Sequence, residues 1–403
     1  MWEHIRSNQK RSVVLVVGLG AVLVLLGYFL GLYFFGSATG GLVIALAVWA
    51  IMSLFAYFQG DSLLLTMSGA RKISRDDHPR LYNIVEEMKI ASGLEKVPDI
   101  YIIDDPALNA FATGRDPNRA AVAITSGLLQ KLNRDELQGV IGHELSHIKN
   151  RDVLLMAMCS VLLGTIVILA WYGSRFLILG SMTTGSRRKS SSGGGGQAQI
   201  IILVAALVFM ILAPIMAQFI YLAISRKREY LADASSALYT RYPEGLASAL
   251  EKLGASTGQL KSANQATAPM YITNPFRKKD IKASDLSSTH PPISERIRIL
   301  RTMAGASFSD YDQAYRQIHR GGKGIMPAAV GVAAGVVPLA AMKPETKVEE
   351  PDEMQRARET SDVLWRLSNY KAITCECGTK LRVPPRFTEP KITCPHCGRI
   401  NLV

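Results

Sequence analysis

Cysteine is scarce in this chain. Five occur in 403 residues, and four of them crowd the C-terminal end as Cys375, Cys377, Cys394 and Cys397. The fifth, Cys159, lies alone in an apolar block, where it reads as a small residue of a span. With one cysteine outside the tail, no disulfide framework can hold the body of the protein together. Acidic residues are also few, 33 against 46 Lys and Arg, which leaves a net charge of +13. The basic residues are scattered, and the aromatics that could interleave with them make up only 7%. That pattern lacks the footprint of a nucleic-acid binder, so no nucleic-acid partner is expected.

Apolar residues are abundant. They make up 48% of the chain and are concentrated in long blocks, which points to membrane spans. Residues 13–35 form the first block. It is too long for the core of a signal peptide and no A-x-A-like cleavage site follows, so it reads as an uncleaved anchor. Residues 36–40 are a tiny uncharged loop, and 41–58 are a second span. Residues 153–173 and 200–224 are the third and fourth, the last with Pro214 as an expected kink. A buried hairpin of core helices is the alternative reading of blocks three and four. Between them, 174–199 end in RRKSSSGGGGQAQ and read as a flexible extracytoplasmic loop.

The flanking charges set an orientation. Arg6, Lys10, Arg11, Arg71, Lys72, Arg75, Lys149, Arg151, Arg226, Lys227 and Arg228 fall on one side. Only Arg175, Arg187, Arg188 and Lys189 fall on the other. Basic residues favour the cytoplasmic side, so the globular parts are expected there, at the cell (inner) membrane.

The chemistry centres on NRDELQGVIGHELSHIKNRD, residues 133–152. Asn133 and Glu136 have capping-box spacing, and Leu137, Val140, Ile141, Leu145 and Ile148 form an apolar stripe, so a helix is predicted. On a helix His143 and His147 share one face and can converge on one metal ion. Glu144 is offset by about 100° and suits the base that works on a water there. A catalytic zinc needs a third protein ligand and an open position. The longer motif H-E-x-x-H-x-x-G-x-x-H is absent, because Asn150 and Val153 stand at its glycine and histidine places.

Glu229 on a later helix is the remaining solution. If the first helix runs on into the third block, His147 stands about 9 Å from the membrane boundary, and Glu229 about 7–8 Å from it after the fourth. Asp233, one turn on, could orient a ligand imidazole. A solvated charge paired with Arg226 or Arg228 is the plainer reading of Glu229.

Four motifs in order resemble the HtpX-type membrane zinc metalloproteases, relatives of the CAAX prenyl proteases. They are HELSH at 143–147, EYLAD at 229–233, NAFATG at 109–114 and STHPPISERI at 288–297. The resemblance covers roughly residues 1–320. It implies zinc ligands His143, His147 and Glu229, with Glu144 as base. It implies an edge strand at Asn109, Ala110 and Phe111 that pairs with an extended substrate. It also implies that His290 and Arg296 stabilise the oxyanion. Read without it, His290 could be a helix-capping or surface histidine and Arg296 an ordinary surface charge.

In the tail, Cys375-Glu376-Cys377 and Cys394-Pro395-His396-Cys397 read as the two knuckles of a zinc ribbon. A redox pair or disulfides are the alternative, disfavoured by a reducing cytosolic setting. Residues 325–342 are Ala/Gly/Val-rich and read as an apolar linker, with a fifth span as the alternative.

The expected architecture is therefore a mainly α membrane protein with four transmembrane helices, a zincin-like α+β catalytic domain with a small edge sheet, and a C-terminal zinc ribbon. The expected divisions are a cytoplasmic tail at 1–12, catalytic parts at 59–152 and 225–320, an apolar then charged linker at 321–370, and the ribbon at 371–403. The expected function is a zinc endopeptidase acting at the cytoplasmic membrane surface. Its cofactors would be one catalytic and one structural zinc. Its partners would be the bilayer, misfolded membrane proteins as polypeptide substrates, and a protein docking on the ribbon. Prenyl-peptide processing and an inactive membrane adaptor are the rival readings.

Overall fold

The computed structural model describes residues 2–184, 195–256, 258, 260–261, 271–273, 290–320, 324–325 and 350–403. All but the first residue of the expected apolar linker at 325–342, and residues 185–194 of the expected flexible loop, lie outside these residues.

Helices α1 (Trp2–Phe35) and α2 (Ala38–Met67) form a hairpin. Gly41 lets them touch: a Cβ there would stand 2.1 Å from the Gly27 carbonyl oxygen. Their outer faces carry fully apolar side chains with nothing against them, such as Val43 and Ile51, both more than 60% exposed. A patch of that kind belongs in lipid. The third apolar helix is α6 (Asp152–Thr184). Three helices among the described residues, not the expected four, are long and apolar enough to cross a bilayer: Val16–Tyr33, Ala38–Met67 and Asp152–Arg175. The expected fourth span falls on α7 (Gly195–Thr240), of which only the shorter Leu207–Ala217 qualifies as a described apolar stretch.

Helices outrun their predicted limits at the membrane. α2 continues nine residues past 58, and α6 and α7 extend into the region expected to be a loop. Helix propagation adds a hydrogen bond per residue, so a run of non-breaking residues extends a helix past its apolar stretch.

The globular part holds a four-stranded sheet of β1 (Ala70–Lys72), β2 (Asp99–Ile103), β3 (Ala110–Gly114) and β4 (Ala120–Thr125), in the order β1-β2-β4-β3. β2 and β4 are parallel, and β3 runs antiparallel to β4 with Ala110 opposite Ile124. β3 is thus an edge. Helix α3 (Pro79–Ser92), the short α4 (Ser126–Lys131), α5 (Arg134–Lys149) and α8 (Pro243–Ala255) contribute with the sheet to one core. α5 has the predicted capping box between Asn133 and Glu136. Gly139 on α5 admits α8, since a Cβ there would lie 2.7 Å from the Leu246 nitrogen.

α5 does not run on into α6. It ends at Lys149, and Arg151 turns the chain with φ 57° in the left-handed region. The rise estimate for His147 over a continuous helix therefore does not apply. The catalytic helix meets the span across a two-residue elbow. α7, by contrast, runs unbroken from the apolar stretch to beyond Asp233.

α9 (Ile293–Thr302) and α10 (Phe308–Ile318) complete the body. The charged segment expected to be a linker is in part a helix, α11 (Glu353–Leu367), closed by a capping box at Asp352 and Gln355. It is strapped to α4. Arg356 donates to the Gln130 carbonyl at 3.0 Å, Lys131 pairs with Glu353, and Val363 enters the main core. Amphipathic periodicity outweighed the charge of this stretch. Beyond it, two hairpins, β5 (Lys371–Thr374) with β6 (Lys380–Val383) and β7 (Lys391–Thr393) with β8 (Ile400–Leu402), carry the cysteines.

Candidate active site

His143 and His147 project from one face of α5, as their spacing requires, and both are buried. Their Nε2 atoms face each other at 3.3 Å. α7 brings Glu229 to the same point, with Oε2 3.5 Å from His143 Nε2 and Oε1 3.6 Å from His147 Nε2. Four tetrahedral ligands at 2.0–2.1 Å from a zinc ion stand roughly 3.3–3.4 Å apart. The two nitrogens, and each nitrogen with the Glu229 oxygen that faces it, stand close to that spacing. Glu229 Oε2 is also buried without a hydrogen-bond partner. Arg296 and His290 approach it only to 3.6 and 3.8 Å, beyond hydrogen-bond reach, so this buried carboxylate oxygen beside two imidazole nitrogens still lacks the close contact a bound cation would supply. The donor set therefore fits a divalent metal.

The far side of each imidazole is held by a carboxylate. Asp233 Oδ1 lies 3.0 Å from His143 Nδ1. Arg296 grips the same carboxylate with two bonds, Nε to Oδ2 at 2.8 Å and Nη2 to Oδ1 at 2.6 Å. Burial opposes ionisation of Asp233, but Arg296 and His143 outweigh it and keep the carboxyl below its ordinary range. On His147 the partner is Asp152, whose Oδ2 is 3.4 Å from Nδ1 and whose Oδ1 is 3.8 Å from Arg228 Nε. Sequence reasoning missed Asp152. Its signal was a lone carboxylate at the mouth of an apolar block. It also missed Tyr311, whose hydroxyl approaches Asp233 Oδ2 at 3.5 Å.

Glu144 is buried between the metal cluster and β3. Burial pushes its carboxyl pKa up, against the pull of both histidines and a bond from the Ala112 backbone N–H. A raised carboxyl suits a group that must both take and return a proton. His290 is buried with Nε2 3.8 Å from Glu229 Oε2. Burial lowers its pKa to about 4, only partly offset by Glu229, so at neutral pH it is an uncharged hydrogen-bonding group. Arg296 is fully buried rather than superficial. Its Nη1 lies 3.6 Å from Glu229 Oε2 and donates to the Ile272 carbonyl at 3.3 Å. Asn109, Ala110 and Phe111 are buried at the start of β3.

The four tail cysteines also converge. Cys375 and Cys397 sulfurs are 3.6 Å apart, and Cys377 and Cys394 sulfurs 3.7 Å apart. Thiolates at about 2.3 Å around a tetrahedral zinc stand at nearly that spacing. These four residues and the His143, His147, Glu229 group are the two candidate metal clusters among the described residues.

A helical membrane body that carries an HExxH helix, a distant glutamate and a sheet edge beside them defines a membrane-associated zinc endopeptidase. Its substrates are polypeptides. Residues 75–304 match the profile of Peptidase family M48, and the chain belongs to that family. It is 44% identical over 310 residues to a protease HtpX homolog of Dictyoglomus turgidum, covering 75% of this chain and 94% of that protein. It is 42% identical over 304 residues to one from Thermoanaerobacter pseudethanolicus, covering 75% and 98%. It is also similar to the crystal structure of S. mikatae Ste24p, with 20% identity, a TM-score of 0.40, and coverage of 74% of this chain and 67% of that one.

Proposed function

We propose that this protein hydrolyses peptide bonds at the cytoplasmic surface of the membrane, with His143, His147 and Glu229 as ligands of a catalytic zinc. The single observation that carries the reading is the convergence of two imidazole nitrogens on the buried Glu229 carboxylate, each facing one of its oxygens at 3.5–3.6 Å. Zinc in such a site supplies Lewis acidity, acidifying a water and polarising a carbonyl. Glu144 takes the proton of the attacking water and returns it to the leaving amine. Asp233 fixes the tautomer and angle of His143, and Asp152 those of His147. His290 and Arg296 Nη1 donate to the oxygen that gains charge as the carbonyl is attacked. Asn109, Ala110 and Phe111 pair with the backbone of an extended substrate along the open side of β3.

The finer parts of the proposal follow from charge and composition. Four spans, with α7 providing the last, put both zinc clusters on the side where basic flanks gather. A site beside the spans suits misfolded membrane proteins, whose exposed segments emerge there in extended form. No nucleic acid is involved. The cysteine tetrad binds a second, structural zinc, and the ribbon offers a docking place for a protein partner.

Zinc analysis tests the assignment. Wild type is expected to hold two zinc ions per chain and Glu229→Ala one. Glu144→Gln is expected to keep both and lose casein digestion. Full zinc in Glu229→Ala, or normal digestion by Glu144→Gln, would end it.

A further inference from the structure

Three residues, Tyr271-Ile272-Thr273, lie where the substrate backbone is assigned. Strand β3 bonds to β4 through alternate residues. Asn109 gives its carbonyl to Thr125 N–H on that side, so Ala110 and Ala112 present theirs to the open side. The open side is taken. Ile272 N–H donates to the Ala110 carbonyl at 2.9 Å. Asn109 Nδ2 donates to the Thr273 carbonyl at 3.1 Å, and Thr273 N–H donates to Asn109 Oδ1 at 3.4 Å. The Ile272 carbonyl accepts from Arg296 Nη1. Four successive backbone groups are thus satisfied by the side chains and edge strand assigned to substrate.

The segment also has a definite direction along β3. As it advances from 271 to 273 its neighbours on β3 run backwards. The Tyr271 ring stands edge-on to Phe111 with centroids 5.1 Å apart, Ile272 bonds Ala110, and Thr273 bonds Asn109. It is therefore antiparallel. All three residues are buried, at 1%, 2% and 5% exposure. A second anchor lies away from the chemistry, where the Tyr271 hydroxyl meets Ser68 Oγ at 3.2 Å, just past the end of α2.

From these contacts we infer that Tyr271–Thr273 is an internal substrate mimic. It occupies the backbone-pairing place on β3 and holds the protease in a self-blocked state until an extended polypeptide displaces it. The inference rests on the assignment of β3 and Arg296 to substrate binding. It adds a regulation that sets a threshold: only chains that outcompete a tethered strand gain the site. The displacing ligand is an extended peptide with an aromatic, then a branched aliphatic, then a hydroxyl or other small polar residue, matching the places now filled.

Binding on an inactive background separates this inference from the functional reading. In zinc-loaded, full-length Glu144→Gln protein, adding Ile272→Pro removes the N–H that bonds Ala110. Losing one backbone hydrogen bond shifts the blocked state by about five-fold. Apparent affinity scales with the competent fraction. A fluorescein-labelled extended casein peptide is therefore expected to bind about five-fold tighter by anisotropy. On the active background, casein turnover rises in step.

Ser68→Ala and Tyr271→Phe each delete the remote anchor and keep the packing. Both are expected to tighten binding in the same direction by a smaller factor, and they decide the matter if the proline variant does not fold. Unchanged or weaker binding in variants that keep their zinc and melting temperature makes the segment a permanent wall and overturns the inference. Tighter binding without casein cleavage in any Glu144-containing protein leaves the inference standing and removes the functional reading instead.

Discussion

The Asp233–Arg296 pair allows the fold and the metal site to be tested apart. Both side chains are fully buried and joined by two short bonds. Replacing Asp233 with leucine leaves a guanidinium in the interior with its main counter-charge gone. Breaking a buried pair from one side costs about 3–5 kcal/mol. Arg296→Leu strands the carboxylate instead, at a similar cost. With both replaced, neither member of the pair is stranded, only the longer Arg296–Glu229 contact is lost, and apolar substitutes of similar volume are often near neutral. The double variant should therefore recover most of the loss, a coupling of at least about 2 kcal/mol.

Zinc should behave differently. His143 loses the carboxylate on its Nδ1 in Asp233→Leu and equally in the double variant. Loss of such a partner weakens metal binding about 10–100-fold. The assay is thermal melting of the four proteins in detergent with chelator, where the single variants should melt roughly 10 °C lower. Chelator competition then reports zinc affinity. Additive melting shifts would refute the ion-pair argument. Zinc affinity that returned with stability in the double variant would refute the orienting role of Asp233.

Three further outcomes follow. His78 caps α3, its Nδ1 accepting from Leu81 N–H at 3.2 Å, and burial, helped by Arg80, lowers its pKa from 6.5 to about 4. The unfolded chain then binds a proton that the folded one refuses, so stability falls as pH drops from 6.5 to about 4, by roughly 3 kcal/mol, and then levels off. His78→Asn keeps a capping acceptor and should flatten that part of a melting-versus-pH curve. Gly139→Val pushes a side chain into the α8 backbone at Leu246 and should cost about 1–3 kcal/mol, read as a lower melting temperature without loss of zinc. Cys394→Ser should remove one zinc per chain by elemental analysis while the zinc held by His143, His147 and Glu229 remains.

The helix that bears His143 and His147 was legible because its signals are local: a cap, a stripe and a four-residue spacing. The edge strand at 110–114 was reached through the NAFATG motif and the family resemblance it helps carry. Glu229 was reachable from its place in a later helix after the fourth apolar block and from the EYLAD motif. What failed was geometry across boundaries. The elbow at Asn150–Arg151 leaves no mark in a run of polar residues, since the left-handed turn falls on an arginine and not on a glycine. α11 was read as a linker because its charges hid a stripe whose partner, α4, lies more than two hundred residues away. Asp152 and Tyr311 act through side chains of other elements, and nothing near them in sequence says so. The Tyr271–Thr273 contacts depend wholly on tertiary placement.

The elbow also has a mechanical consequence. His143 and His147 ride on a helix separated from its span by the turn at Arg151, whereas Glu229 rides on one continuous helix that contains Pro214. Fifteen residues separate Pro214 from Glu229, about 22 Å of lever arm. A tilt of α7 by about 3° about that point swings the carboxylate by roughly 1 Å. Metal–ligand distances tolerate about 0.2 Å. A small tilt of α7 is thus enough to move Glu229 out of ligand range of His143 and His147.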